Sequence, residues 1–307
     1  MSTFKTIFFF ATALLLSCSD NAESTEPAGE KYFISADEVG SYSAATLQAF
    51  AIAAGQSDIA PQLKYDVKSY RVVYQTMYNG TPIQASGLLL VPVGMKEAAP
   101  IVSVQHGTMF EKSEAPTVSN DFSGIEFFTS AGFISLMPDF IGYGESEAIF
   151  HPYYDRQHSA MAVVDMIRAG KDFLKNKKIA FNNQLFLTGY SEGGYVTLAA
   201  AKEIETNSTY GLTVTAVGAG AGGYDLVEML SGVATNTYYA YPSYLAFVLM
   251  SYNTTYSWNK PLTYFFKPTL CHFFSKDLSC SSSGKRYIDN VITFSICATE
   301  GIKWRFK

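Results

Sequence analysis

Cysteine and histidine are both scarce in this chain, with four of each among 307 residues. No Cys-x-x-Cys pair occurs, and the histidines lack metal-ligand spacing, so the sequence predicts no bound metal and no cofactor. Cys271 and Cys280 are the closest pair of cysteines. If the chain is exported, we expect at most one disulfide, between these two residues.

Positive charge is not in excess, because 22 Lys and Arg face 27 Asp and Glu, for a net charge of −5. The basic residues are scattered and form no concentrated patch of the kind that nucleic acid requires. We therefore expect no nucleic-acid partner, and the oligomeric state stays open. The length suits one large domain with an insertion better than two independent domains.

The apolar run near the N-terminus is short. It covers residues 7–16, too few for a membrane-spanning helix of the mature protein. Leu-Leu-Ser-Cys, ending at Cys18, resembles the lipobox of bacterial lipoproteins. That resemblance implies a signal peptide at 1–17, acylation of Cys18, a polar tether at 18–30, and an exported protein anchored on a membrane of the cell envelope. An ordinary secretory signal with an incidental cysteine is the alternative.

The most specific motif in the chain is Gly-Tyr-Ser-Glu-Gly at residues 189–193. An apolar, strand-like run at 185–188 precedes it, and a helical pattern at 195–204 follows it. A Gly-x-Ser-x-Gly turn between a strand and a helix is so tight that its serine is strained and its hydroxyl projects above the sheet. Ser191 is therefore the predicted nucleophile. A phosphate-binding turn of another α/β fold is the alternative, which the carboxylate of Glu192 disfavours.

The order of the predicted elements indicates an α/β fold. Asn-Gly at 79–80, between two runs rich in β-branched and aromatic residues, predicts an antiparallel hairpin. After it come buried strands at 100–105 and 132–137, a long helix at 155–173, the nucleophile strand and helix, and a strand at 212–217. This order predicts a mostly parallel sheet that is covered by helices on both faces.

Three further motifs precede the serine motif: Gln-His-Gly-Thr at 105–108, Pro-Asp-Phe-Ile-Gly-Tyr-Gly at 138–144, and His-Pro-Tyr at 151–153. In this order and spacing they resemble the secretory lipase branch of the α/β hydrolases. The resemblance implies an esterase or lipase that acts on an ester or lipid substrate. It also implies an α/β-hydrolase core at 31–223 and an inserted cap at 224–275, a segment dense in aromatic residues.

Ester hydrolysis on such a fold needs two backbone amides that bind the oxyanion. The resemblance assigns them to Glu192, directly after the nucleophile, and to Thr108 in the loop after an earlier strand. His106 is interpreted as a residue that shapes this loop, because the fold's chain order is serine, acid, histidine. His151 and His158 are interpreted as a loop histidine and a helix-surface histidine.

The catalytic acid and base are harder to assign. His272 is the only histidine after Ser191. Among the carboxylates between the two, Glu192, Glu203 and Glu205 fall on the predicted nucleophile helix, and Asp225 with His272 is the one plausible in-order pair. Asp225, however, resembles the family's entry into the cap and not its acid. Because too few residues remain after a cap for two more strands, we expect the last strands to be missing and 276–307 to be an irregular or non-native tail.

Three functions therefore remain open from the sequence. The first is hydrolysis of carboxylic esters through an acyl-enzyme on Ser191, with the base and acid either lost, which would leave this chain inactive, or supplied from unexpected positions. The second is a catalytically dead surface lipoprotein that binds lipid or a partner through its aromatic cap. The third is an amide or peptide hydrolase, because a nucleophile turn and an oxyanion site do not distinguish esters from amides.

Overall fold

The computed structural model describes residues 32–119, 121–235 and 241–266. The predictions that fall on other residues lie outside these ranges and stay predictions. They are the signal peptide at 1–17, the acylated Cys18, the tether at 18–30, the Cys271 and Cys280 pair, the base His272 and the tail at 276–307.

The described residues form one seven-stranded sheet. Its strands are β1 (Phe33–Tyr42), β2 (Asp66–Tyr78), β3 (Thr81–Val93), β4 (Ala99–Gln105), β5 (Ile134–Pro138), β6 (Phe181–Tyr190) and β7 (Ala216–Gly220). They lie in the order β1-β2-β3-β5-β4-β6-β7. All strands except β1 and β3 point the same way, which confirms the mostly parallel sheet that the sequence predicts.

Strands β2 and β3 form the predicted hairpin. They pair antiparallel over their whole length, and only Asn79 and Gly80 lie between them. Both turn residues have positive φ, 48° and 77°, as a type I′ turn requires. Strand β1, which the sequence pattern does not predict, pairs antiparallel with β2 at the edge of the sheet. Most of its residues are exposed or half-buried, so it has little apolar alternation to reveal it.

Seven α-helices are described: α1 (Ala44–Ala53), α2 (Ile125–Ser130), α3 (Arg156–Lys177), α4 (Glu192–Thr206), α5 (Leu226–Thr235), α6 (Pro242–Thr255) and α7 (Leu262–Phe265). The three last helices follow β7, and they fall in the segment predicted as a cap. None of the helices in the described ranges combines the length and the hydropathy that a membrane span needs.

Helices cover both faces of the sheet and bury two apolar clusters. On one face α3 and α4 pack against the strands through side chains such as Val164, Ile167 and Val196. On the other face α1 and α2 bury Leu47 and Ile125 against the strands. Because each fully buried aliphatic side chain contributes roughly 1.5–3 kcal/mol, the sheet and these four helices form a stable platform for the strand ends.

A buried polar cluster marks the start of α3. The N-cap residue Asp155 accepts hydrogen bonds from the backbone N–H of His158 at 2.9 Å and from its Nδ1 at 2.7 Å. The hydroxyl of Tyr256 donates to the other carboxylate oxygen of Asp155. His158 Nε2 accepts from the backbone N–H of Asn79 at 3.2 Å. His158 is therefore not on the helix surface as predicted, because the hairpin turn covers it.

Replacing Asp155 by asparagine is expected to destabilise the protein by about 1–2 kcal/mol at neutral pH, after allowance for solvent screening. Burial would raise the pKa of Asp155, but hydrogen bonds from His158 and Tyr256 outweigh burial and lower it from 3.8 to about 2. The folded-state pKa lies below the unfolded one, so this stabilisation is complete above about pH 4. It is lost as the pH falls toward 2.

Urea unfolding at pH 7 and at several values between pH 4 and pH 2 measures this effect. The matched control is Asp225→Asn, since Asp225 also accepts a backbone N–H at a helix start, from Glu228 at 2.9 Å, but is exposed. We expect Asp225→Asn to lower the free energy of unfolding by less than about 0.5 kcal/mol, because asparagine caps helices as well as aspartate does. If both variants lost the same free energy of unfolding, the hydrogen bonds of the Asp155 cluster would not stabilise the fold as expected.

Candidate active site

Ser191 lies in a strained turn between β6 and α4. Strand β6 ends at Tyr190, α4 begins at Glu192, and Ser191 between them has φ 59° and ψ −123°. The Ser191 N–H donates to the Gly220 carbonyl at 2.9 Å, and its own carbonyl accepts from Tyr195 N–H at 3.2 Å. Such a backbone conformation costs roughly 1–3 kcal/mol in a residue with a Cβ and persists only where surrounding contacts impose it.

The glycines of the motif are required by close backbone contacts. A Cβ on Gly189 would lie 2.6 Å from the Gly193 carbonyl carbon, and a Cβ on Gly193 would lie 2.6 Å from the His106 carbonyl oxygen and closer still to that of Gln105. Real Cβ atoms do not approach so closely. The turn therefore packs directly onto the loop that follows β4, which is the loop predicted to hold an oxyanion donor.

That loop is held in place beside Ser191. The Cβ position of Gly107 lies 4.0 Å from the Cβ of Ser191. His106 is within hydrogen-bonding distance of the carbonyls of Gly107 (2.8 Å) and Asp139 (3.3 Å), and burial lowers its pKa. The hydroxyl of Thr108 is hydrogen-bonded to that of Tyr153 at 2.9 Å. The structure thus brings the loop that carries Thr108 next to the predicted nucleophile.

Glu192 starts α4, and its N–H is one of the first amides of the helix, which have no partner inside the helix. The positive end of the helix dipole also favours negative charge at this point. The side chain of Glu192 is buried against His151. It is 2% exposed and its Oε1 lies 2.7 Å from Nε2 of His151, whose side chain is 4% exposed.

This buried pair is a feature that sequence reasoning missed. The sequence predicts only a loop histidine at position 151, and His151 and Glu192 are 41 positions apart. The signal in the sequence is the glutamate directly after the nucleophile, because a carboxylate there needs a partner once it is buried.

Of the predicted acid and base, the structure describes Asp225. Asp225 is exposed and accepts the Glu228 N–H at the start of α5, while His272 lies outside the described residues. Among the residues that the structure describes, no base forms a hydrogen bond with the Ser191 hydroxyl. The pairing of Asp225 with His272 stays a prediction.

A cavity of about 250 Å³ opens between α6 and the loops that follow β4 and β5. Phe247 of α6 closes one side and stacks on Tyr153 with ring centroids 4.6 Å apart. The ammonium of Lys112 donates to the carbonyl of Gly142, and burial lowers its pKa. The cavity is lined by Phe110, Lys112, Tyr143, Glu147, Ala148, Ile149, Phe150, His151 and Phe247.

Comparisons with known proteins agree on the fold. Residues 119–267 match the profile of the Prolyl oligopeptidase family, Peptidase_S9. A hydrolase candidate of Legionella pneumophila has a similar structure, with a TM-score of 0.69 and 24% identity over 86% of this chain and 76% of that one. No curated protein sequence matches the chain.

Two further solved structures are similar. The rice cell wall degrading esterase LipA from Xanthomonas oryzae has a TM-score of 0.67 and 22% identity, over 76% of this chain and 62% of that one. Candida antarctica lipase A has a TM-score of 0.52 and 14% identity, over 85% of this chain and 54% of that one. The chain thus spans less than two thirds of LipA and of this lipase.

The protein has the α/β-hydrolase fold. Its mostly parallel mixed sheet of seven strands, covered by helices, matches these structures. At identities below 25%, the likeness establishes the fold, and the activity has to be argued from the site.

Proposed function

We propose that the protein is a serine hydrolase of carboxylic esters that forms an acyl-enzyme on Ser191. The observation that carries the proposal is the strained conformation of Ser191 beside the loop of Thr108. Backbone strain at a residue is stored where a function needs it. The esterase and lipase among the similar structures support an ester substrate.

In the proposed reaction the Ser191 oxygen attacks the ester carbonyl carbon, and a base accepts the hydroxyl proton. The carbonyl oxygen becomes an oxyanion, which the amides of Thr108 and Glu192 stabilise. Collapse of this intermediate releases the alcohol, which takes the proton from the base, and leaves the acyl group on Ser191. Water then repeats the sequence and releases the acid. His272 is the proposed base and Asp225 the proposed acid.

The cavity beside α6 is proposed to hold the acyl group, because His151, one of its lining residues, is hydrogen-bonded to Glu192, the residue that follows Ser191. Its aromatic walls suit an apolar group. At about 250 Å³ it is smaller than the pockets that hold drug-sized ligands, which measure roughly 300–1,000 Å³. We therefore expect short acyl chains to be preferred over long ones.

Labelling with a fluorophosphonate probe tests the proposal directly. The full chain is expected to be labelled, with the label located on Ser191 by mass spectrometry, and to hydrolyse p-nitrophenyl butyrate. The His272→Ala variant should lose both properties. A folded wild-type chain that is neither labelled nor active on esters would refute the proposal and favour a non-catalytic lipid-binding or partner-binding protein.

Peptide hydrolysis is a second candidate, because residues 119–267 match a family named for an oligopeptidase. A nucleophilic serine and an oxyanion site of this kind can also hydrolyse amide bonds. Matched ester and anilide substrates with one acyl group distinguish the two. Turnover of the ester alone supports the esterase, whereas comparable turnover of the anilide supports the peptidase.

Replacing Phe247 by alanine is expected to shift substrate preference toward longer acyl chains. The variant removes one wall of the cavity, and a methylene group in an apolar pocket is worth about 1–3 kcal/mol in specificity. The ratio of kcat/KM for p-nitrophenyl octanoate over butyrate should rise about tenfold or more.

Tyr264→Ala is the control for that experiment. Tyr264 is also an aromatic residue of the helices after β7, but it is 68% exposed and does not line the cavity. Its substitution should leave the chain-length ratio within about twofold, as surface substitutions usually have small effects. If both variants changed the ratio equally, the cavity would not be the acyl site.

We also propose that the protein is exported and held on a membrane of the cell envelope through acylated Cys18. The motif that ends at Cys18 supports this proposal. Expression of the full chain with Cys18→Ser should move it from the membrane fraction to the soluble fraction. Equal fractionation of both forms would contradict acylation at this residue.

A further inference from the structure

We propose that His151 is a positioning residue that aims the backbone amide of Glu192 at the oxyanion, through its bond to the Glu192 side chain. This inference rests on the proposed function. It assigns a role to a buried pair that lies directly beside the nucleophile but supplies neither nucleophile nor base.

The hydrogen bonds determine the protonation of the pair. His151 Nδ1 lies 2.7 Å from the Ile141 carbonyl, and a carbonyl can only accept, so Nδ1 carries a proton. His151 Nε2 lies 2.7 Å from Oε1 of Glu192. One further proton must therefore lie between Nε2 and the carboxylate, since two lone pairs would repel. The pair then has no net charge, whichever partner holds that proton.

A neutral pair is well suited to this position. An unpaired carboxylate at residue 192 would place negative charge near the developing oxyanion and would be costly to bury. With His151 the charge is balanced, and the side chain has one fixed direction. Charge-assisted hydrogen bonds of this length are directional and strong.

His151 is itself held rigidly from three sides. Its ring is nearly parallel to that of Phe140, with centroids 6.1 Å apart at 11°, and it contacts Tyr143 at 4.9 Å. A Cβ on Gly142 would approach the Cα of His151 too closely for any side chain to fit. The loop at 138–144 therefore fixes the ring, and the ring fixes the side chain of Glu192. In the proposed role, this contact holds the Glu192 amide in its direction toward the oxyanion.

Two substitutions of Glu192 with similar side-chain length show whether the hydrogen bond to His151 matters for activity. Glu192→Gln keeps the bond, because its amide can donate to Nε2 of a neutral His151. Glu192→Met removes the bond. In Glu192→Gln we expect the fluorophosphonate labelling rate of Ser191 and kcat for p-nitrophenyl butyrate to fall about threefold or less. In Glu192→Met we expect both to fall about 10- to 100-fold. KM should change less than about threefold in either variant.

A third variant distinguishes a loss of activity from a loss of folding. His151→Phe combined with Glu192→Leu replaces the whole pair by apolar side chains, which is often neutral for stability. It should unfold at the wild-type urea midpoint within about 0.5 M and yet be labelled about tenfold more slowly or worse. If it folds and keeps the wild-type labelling rate, or if Glu192→Gln loses as much as Glu192→Met, the positioning role is wrong.

The proposed function and this inference fail in different ways. A wild-type chain that resists labelling overturns the proposed function, and the positioning role is then overturned with it. A wild-type chain that is labelled at Ser191, with labelling indifferent to the bond between residues 151 and 192, overturns the positioning role alone.

Discussion

Replacing Ser191 by alanine is expected to lower kcat/KM for p-nitrophenyl esters by about 10⁴-fold or more and to abolish fluorophosphonate labelling. Alanine lacks the oxygen that forms the acyl-enzyme, while the loop of Thr108 and the start of α4 remain. The free energy of unfolding should change little, because the Ser191 side chain does not cap its helix. Activity that survived this substitution would show that another residue is the nucleophile.

Ser191→Gly is the matched variant. It distinguishes the effect of the strained backbone on stability from the effect of the missing serine oxygen on activity. Alanine keeps the Cβ that makes φ 59° and ψ −123° unfavourable, whereas glycine adopts positive φ without that cost. We expect the glycine variant to be as inactive as the alanine variant but more stable by about 1 kcal/mol, measured by urea unfolding. Identical stabilities of the two variants would mean that the turn is not strained.

Replacing Gly193 by alanine is expected to cause the other large effect. The added methyl group would approach the carbonyl oxygens of Gln105 and His106 inside van der Waals distance, and backbone atoms cannot move aside as the end of a side chain can. The serine turn and the β4 loop must separate. We expect a loss of about 3 kcal/mol or more in unfolding free energy. We also expect a fall of at least about 100-fold in kcat/KM, because the two proposed oxyanion donors lie on these segments.

Gly232→Ala provides the control for that substitution. Gly232 lies inside α5, and a Cβ there would meet nothing within 4 Å. Since alanine is favoured over glycine in helices by about 1 kcal/mol, this variant should be as stable as the wild type or slightly more stable. If Gly193→Ala behaved like Gly232→Ala in unfolding and in activity, the close packing of the turn on the loop would be refuted.

Much of the fold could be predicted because its determinants are local. The hairpin follows from Asn79 and Gly80, which tolerate the positive φ of a two-residue turn. The serine turn follows from two glycines, which allow the backbone of one strand and one helix to approach. The parallel strands follow from short apolar runs, since such strands are buried on both faces.

Strand β1 and the environment of His158 could not be predicted in the same way. Strand β1 is mainly exposed and is specified by its pairing with β2, which leaves no periodic pattern in its own sequence. His158 is buried by the turn at Asn79, 79 residues earlier. Spacing within α3 indicates which face a residue occupies, but not which distant segment covers it.

The sequence by itself determined the fold class and the position of Ser191 as the candidate nucleophile, because tight turns and buried strands are encoded by adjacent residues. The loop of Thr108 followed from the family resemblance. Only the tertiary structure decided that His151 and Glu192 form a buried pair beside that serine. Their contact depends on the packing of the loop after β5 against the start of α4, and a hydrogen bond between distant residues has no local signature in the chain.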